Sequence, residues 1–182
     1  MRELRTAVVA AVVLTVVFGL AYPLVMTGAA QVLWPGKADG QSTLIARNYS
    51  KDNGLFQARP SATDYSTDPT AFNNQGPNQA ALADQLKGLV KDYLKREKPY
   101  TPGLTEAQIP PDAVTNSASG VDPQISMANA RIQANRVAAV RHLPPARVLA
   151  LVDDATSRPL LGLAGPQSVN VVQLNDALEA LR

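Results

Sequence analysis

From Thr6 to Leu33 the chain reads TAVVAAVVLTVVFGLAYPLVMTGAAQVL, with no charged side chain. About 20 apolar residues in a helix cross the hydrocarbon core of a bilayer, so this stretch spans with residues to spare. Inside lipid a lone segment must satisfy its own backbone, which leaves helix as its state. Gly19, Pro23 and Gly28 are tolerated in such a helix, and Pro23 is expected to mark a kink. Trp34 stands where an interfacial aromatic belongs, and Pro35-Gly36 behind it ends the helix. A cleaved signal is the competing reading, with Met1 to Arg5 as its basic start and Gly28-Ala29-Ala30 as its small-residue site. The length favours a retained anchor, because signal cores hold roughly 7–15 apolar residues. The chain has no cysteine, so it is not a lipoprotein, and disulfides say nothing of its compartment.

Arg2, Arg5 and the amino terminus precede the span, whereas Lys37, Arg47 and Lys51 follow it more sparsely. The positive-inside rule then predicts residues 1–5 in the cytoplasm, 6–34 across the membrane and 35–182 as one extracytoplasmic domain. About 145 residues suffice for a domain with its own core. The formal charge of +2 owes part of its excess to Arg2 and Arg5, and the domain is close to neutral. No basic patch interleaved with aromatics appears, which argues against a nucleic-acid partner. Lys91, Lys95, Arg96 and Lys98 read as compensation of a helix C-terminus.

Along the domain, Ser42 to Tyr49 suggests a short strand, and Gly54, Phe56 and Pro60 a turn followed by an extended segment. Thr63 to Gln79 is a polar loop. Asn78 is expected to cap a helix to about Lys95, with Leu82, Leu86, Leu89, Val90, Tyr93 and Leu94 on its apolar face. Asp112 to Pro123 reads as a docking loop with a β-like entry at Ala113 to Thr115. Ser126 offers an N-cap for a helix in which Met127, Ala130, Ala134, Val137 and Arg141 form one row and Ile132, Ala139 and Val140 a neighbouring one. Pro145 opens a further helix through Ala155. Arg158 to Leu163 suggests a strand, and the tail reads as helix from about Val169. The expected fold class is α+β: one transmembrane helix, then three or four helices with a small sheet.

The side chains give little support to independent catalysis. His142 is the only histidine and suits a helix end, which removes a histidine triad and a histidine-rich metal site. Asp153 and Asp154 are adjacent and diverge on a helix, as a solvated face would. No GxxxxGK[ST], GxSxG or HExxH occurs. Ser117 and Ser119 lack an activating base nearby in sequence.

Five ordered stretches nevertheless carry a specific pattern: the anchor, FQARPSA at Phe56 to Ala62, SASGVDPQIS at Ser117 to Ser126, Gln133 with Arg136-Val137-Ala138, and VNVVQLNDAL at Val169 to Leu178. Together they resemble the C-subunit family of the Kdp potassium-transporting ATPase over nearly the whole chain. The resemblance implies a single-pass inner-membrane subunit without a cofactor of its own. Its implied partners are a channel-like potassium-binding subunit, a P-type ATPase subunit and a small single-span subunit, with potassium as the transported ion. It also implies a role in assembly and a chaperone-like rise in the ATP affinity of the ATPase subunit, with Gln133 at the position associated with nucleotide. Phe56, Arg59, Pro60, Ser61, Ser117, Ser119, Gly120, Asp122 and Arg136 are the residues expected to make partner or motif contacts. Ala58 and Asn135 depart from the family's Gly and Pro, and the loop near Asn73 to Asn78 is shortened. An extracytoplasmic domain cannot touch ATP bound in the cytoplasm, so location and complex outrank direct nucleotide contact. Apart from the resemblance, Gln133 reads as a solvated helix residue, and Arg59 and Arg136 as partners of a carboxylate or carbonyl. The alternatives are a signal-anchored serine hydrolase using Ser117 or Ser119, or a binding module released by cleavage at Ala30.

Overall fold

The computed structural model describes residues 1–34, 42–67, 75–158 and 165–181. It divides into two compact units, Met1–Ser42 and Thr43–Arg182. The first is a continuous helix, Arg2–Leu33, of 32 residues with mean hydropathy 2.5, long and apolar enough to cross a membrane. Its α-helical segments are α1 (Arg2–Val16) and α2 (Tyr22–Leu33), joined by a π-helical turn over Val17–Ala21. Pro23 offers no N–H, and its ring crowds the carbonyl of residue 19. The wide turn just before it, in which the Tyr22 N–H donates to Val17 O, absorbs that conflict without ending the helix. At Trp34 the backbone leaves the helix.

The second unit carries α3 (Ala80–Glu97), β1 (Gln124–Ser126), α4 (Met127–Arg141), α5 (Pro145–Asp154), β2 (Thr156–Ser157), β3 (Ser168–Asn170) and α6 (Val171–Glu179). The strands form one antiparallel sheet in the order β1-β3-β2, with Ile125 and Thr156 both opposite Val169. The core joins Ala130, Ala134 and Val137 of α4 to Val148 and Val152 of α5 and Leu174 and Leu178 of α6, with Ile125, Val169 and Phe56 beside them. Alanine on the inner face of α4 lets its neighbours approach closely. A smaller cluster, Tyr93, Leu104 and Ala113, seats the C-terminal end of α3.

The α+β class and the four α-helices among the described residues of the domain match the sequence reading; several local expectations do not hold. Ser42 to Tyr49 is irregular, tied by single bonds such as Ala46 N–H to Val121 O at 2.8 Å. Asn78 does not cap α3: Gln79 occupies that position and makes no side-chain cap bond. Ala113 to Thr115 is not β-like, because Pro111–Ala113 closes a 3-10 turn with proline preset at its start. Ala139 and Val140 are exposed on α4. Val169 belongs to β3, because it pairs on both sides and Asn170 caps α6 by accepting from the Val172 and Gln173 N–H groups. By contrast, Ser126 caps α4 and Pro145 opens α5 as expected. The strand expected over Arg158 to Leu163 falls almost wholly outside the described residues, as do Lys37 and the Asn73 side of the shortened loop.

Candidate functional site

Gly54 closes a turn in which its N–H donates to Asp52 Oδ1 at 2.7 Å, and the chain then passes through FQARPS as neither helix nor strand, with a bend at Arg59. Among the described residues no strand pairs with this segment; two side-chain amides do so instead. The Phe56 N–H donates to Asn175 Oδ1 at 2.8 Å, and Asn175 Nδ2 donates back to Phe56 O at 3.0 Å. Gln133 repeats the arrangement one residue on, accepting from the Gln57 N–H at 2.7 Å and donating to Gln57 O at 3.1 Å. Thus α6 and α4 each supply a side chain that satisfies the buried backbone of the segment.

Gln133 has no hydrogen-bonding capacity to spare. Its second amide hydrogen goes to Asn129 Oδ1 at 3.0 Å, and its oxygen also accepts from Arg136 Nη2 at 3.0 Å. It is 1% exposed, so it is an interior residue and not a solvated one. Asn129, Gln133 and Arg136 follow one another along the same side of α4. Asn129 Oδ1 also accepts from the Tyr93 hydroxyl, and its Nδ2 donates to Asp112 Oδ2. At the other end, Arg136 Nε donates to both oxygens of Glu97 at 3.0 and 3.1 Å. Arg136 also donates to the carbonyls of Asn53 and Leu55. Both ion-pair side chains are fully buried. Burial lowers the Arg136 pKa from its ordinary value, and Glu97 acts against that shift. Arg96 supplies Glu97 with a second cation at 2.8 Å and lies over the Tyr93 ring.

The two loop motifs dock on each other. Arg59 reaches Asp122 at 3.3 Å and Asn116 O at 3.2 Å. Ser61 Oγ donates to Gly120 O at 2.7 Å and accepts from the Thr63 and Tyr65 N–H groups. The Ser117 N–H donates to Pro60 O at 3.0 Å. Asp64 and Tyr65 both have positive φ, and the Tyr65 hydroxyl donates to Arg59 O. Beside this junction lies a cleft of about 190 Å³ lined in part by Pro60, Tyr65, Leu89, Asp92 and Arg96.

Phe56, Arg59, Pro60, Ser61, Ser117, Gly120, Asp122, Gln133 and Arg136 therefore belong to one connected structure. Ser119 is peripheral and exposed, with its Oγ accepting from the Val121 N–H. Ser117 Oγ is buried and makes no hydrogen bond. Neither serine has a hydrogen-bonded base, and His142 is the exposed left-handed C-cap of α4. Among the described residues no group of three His, Cys, Asp or Glu side chains is placed to hold a metal. Glu97, Asn129, Tyr93, Asp112 and Asn175 were missed as members of the network. The available signal was Glu97 itself, a carboxylate four residues after Tyr93 on the apolar side of α3.

Burial, reinforced by Glu97, raises the Tyr93 pKa well above its ordinary value of 10.0. Burial likewise raises those of Tyr49 and Tyr65. The unfolded chain releases these protons near pH 10 while the folded domain retains them, so stability present below that pH is lost as pH rises further. We expect the melting temperature to decline above about pH 10, with a shallower slope for Tyr93→Phe. An unchanged slope in that variant would remove Tyr93 from the explanation.

The family model described as KdpC, the c chain of K+-transporting ATPase, matches residues 4–180. A protein of Polaromonas naphthalenivorans (strain CJ2), called potassium-transporting ATPase KdpC subunit, is 45% identical over 192 residues, covering 98% of this chain and 95% of its own. The protein of that name from Bradyrhizobium diazoefficiens is 41% identical over 203 residues, covering 98% and 97%. That from Cereibacter sphaeroides (strain KD131 / KCTC 12085) is 39% identical over 190 residues, covering 99% and 98%.

Proposed function

The chain belongs to the KdpC family, the c chain of K+-transporting ATPases, and on that premise we propose that it is the non-catalytic accessory subunit of an ATP-driven, high-affinity potassium uptake complex. The match over residues 4–180 carries this reading, and the helix Arg2–Leu33 agrees with a single-pass membrane subunit. Arg2 and Arg5 ahead of the span favour residues 1–5 in the cytoplasm, 6–34 in the membrane and 35–182 outside. The partners are a channel-like potassium-binding subunit, a P-type ATPase subunit and a small single-span subunit. Ala10, Ala11, Gly19 and Gly28 let the anchor approach partner helices closely, which favours association in lipid. The docked motifs around Arg59, Ser61 and Gly120 form the domain's partner-facing surface. Removing residues 1–34 is expected to abolish co-purification with the other subunits; undiminished recovery of the anchorless domain would sink this reading.

The rise in ATP affinity is read as an effect transmitted through the complex. Gln133 is buried and fully hydrogen-bonded, so it influences partners through the segment that it holds. Asn175 holds the same segment from α6. Gln133→Ala and Asn175→Ala are therefore expected to raise the assembled pump's KM for ATP by similar factors. An effect confined to Gln133 would remove the shared segment from the explanation.

A further inference from the structure

We propose that the outer face of α3 is a docking surface for anionic phospholipid headgroups, holding the domain against the bilayer that its own anchor spans. Lys87, Lys91 and Lys95 recur every four residues and Lys98 follows three later, so the four ammonium groups form one row. All four residues are exposed. Lys87 has an i,i+3 partner in Asp84 at 3.6 Å, whereas Lys91, Lys95 and Lys98 make no ion pair among the described residues. Arg96 turns away from the row to Glu97 and Tyr93.

Compensation of the helix dipole acts only in the last turn and does not account for Lys87 or Lys91. A second feature lies at the end of the row. Leu94 and Pro99 form the apolar part of a notch of about 400 Å³ whose other lining residues are Lys95 and Lys98. Cations flanking a partly exposed apolar floor match a phosphodiester with the first carbons of its chains.

The membrane is also the partner that the chain itself keeps in reach. Nine residue steps separate Trp34 from Thr43, a span of at most about 30 Å. Such a tether keeps the local concentration of headgroups high. The inference rests on the anchor spanning a bilayer, which incorporation into nanodiscs tests separately.

The chain contains no cysteine, and a Cβ at Gly88 meets nothing within 4 Å, so Gly88→Cys provides a single labelling site beside the row. The full-length labelled chain would be placed in nanodiscs of phosphatidylcholine alone or mixed with phosphatidylglycerol, each containing a headgroup-nitroxide quencher. Quenching should be about two-fold or more stronger in the anionic discs, given the attraction of each lysine to an anionic surface. It should return to the zwitterionic level in about 1 M salt, where the screening length is about 3 Å. The triple variant Lys91→Gln, Lys95→Gln, Lys98→Gln should lose the difference while retaining its melting temperature. Equal quenching in both lipids, or a difference that survives the triple variant, would overturn the proposal. Protection of the label only when the other subunits are present would overturn it as well, by assigning the row to a protein partner.

Discussion

Arg136→Ala is expected to destabilise the domain by about 3–5 kcal/mol, the usual consequence of leaving half of a buried ion pair behind. Glu97 would keep only Arg96, which approaches it from the partly exposed side. The carbonyl of Leu55, which accepts from Arg136 at 3.0 Å, would lose that donor, and so would the Gln133 oxygen. The change would therefore loosen both the α3–α4 contact and the start of the segment that Gln133 and Asn175 hold. Hydrogen exchange of α4 and α6 amides in the detergent-solubilised full chain would measure the loss. Replacing both Glu97 and Arg136 by leucine should recover much of it, since no uncompensated charge remains between them. A cost below about 1 kcal/mol for Arg136→Ala would mean that water or a side-chain rearrangement reaches Glu97 readily.

Gly120→Ala should cost about 3 kcal/mol through two separable causes. Gly120 has φ +72°, a conformation that disfavours a side chain, and an added Cβ would stand 2.5 Å from Thr63 Oγ1 and 3.2 Å from its Cγ2. Gly120 O also accepts the Ser61 hydroxyl bond that joins the two motifs. Adding Thr63→Ala to Gly120→Ala removes the closest side-chain atoms, so it should recover the steric part and leave about 1–2 kcal/mol of backbone strain. Full recovery in the double variant would show that the positive φ contributes nothing. The same double variant should restore part of any loss of pump assembly if the proposed partner surface at this junction is the one used.

Several elements were legible because their signals are local. The apolar run from Thr6 to Leu33 exceeds what a bilayer crossing needs, Ser126 precedes a helical pattern as a cap, and Pro145 sits where a helix can begin. The motif pairing Arg59 to Asp122 also follows the expectation of an arginine with a carboxylate partner. Asn78 misled because a capping residue type one position too early looks the same in sequence as one in place.

The rest depended on partners far apart in the chain. Val169 has helical spacing with the residues after it, yet its backbone is committed to Ile125 and Thr156. Gln133 and Asn175 hold segment 56–57 across separations of 76 and 119 residues. Neither periodicity nor charge distinguishes such an amide from a solvated one. The sequence by itself determined the long apolar N-terminal helix, the helical phases and the family motifs, since each is written in neighbouring residues through length, spacing or residue type. Tertiary structure decided that Glu97, Gln133, Arg136 and Asn175 become interior supports, because only folding removes water from them and makes each donor and acceptor find a partner within the protein.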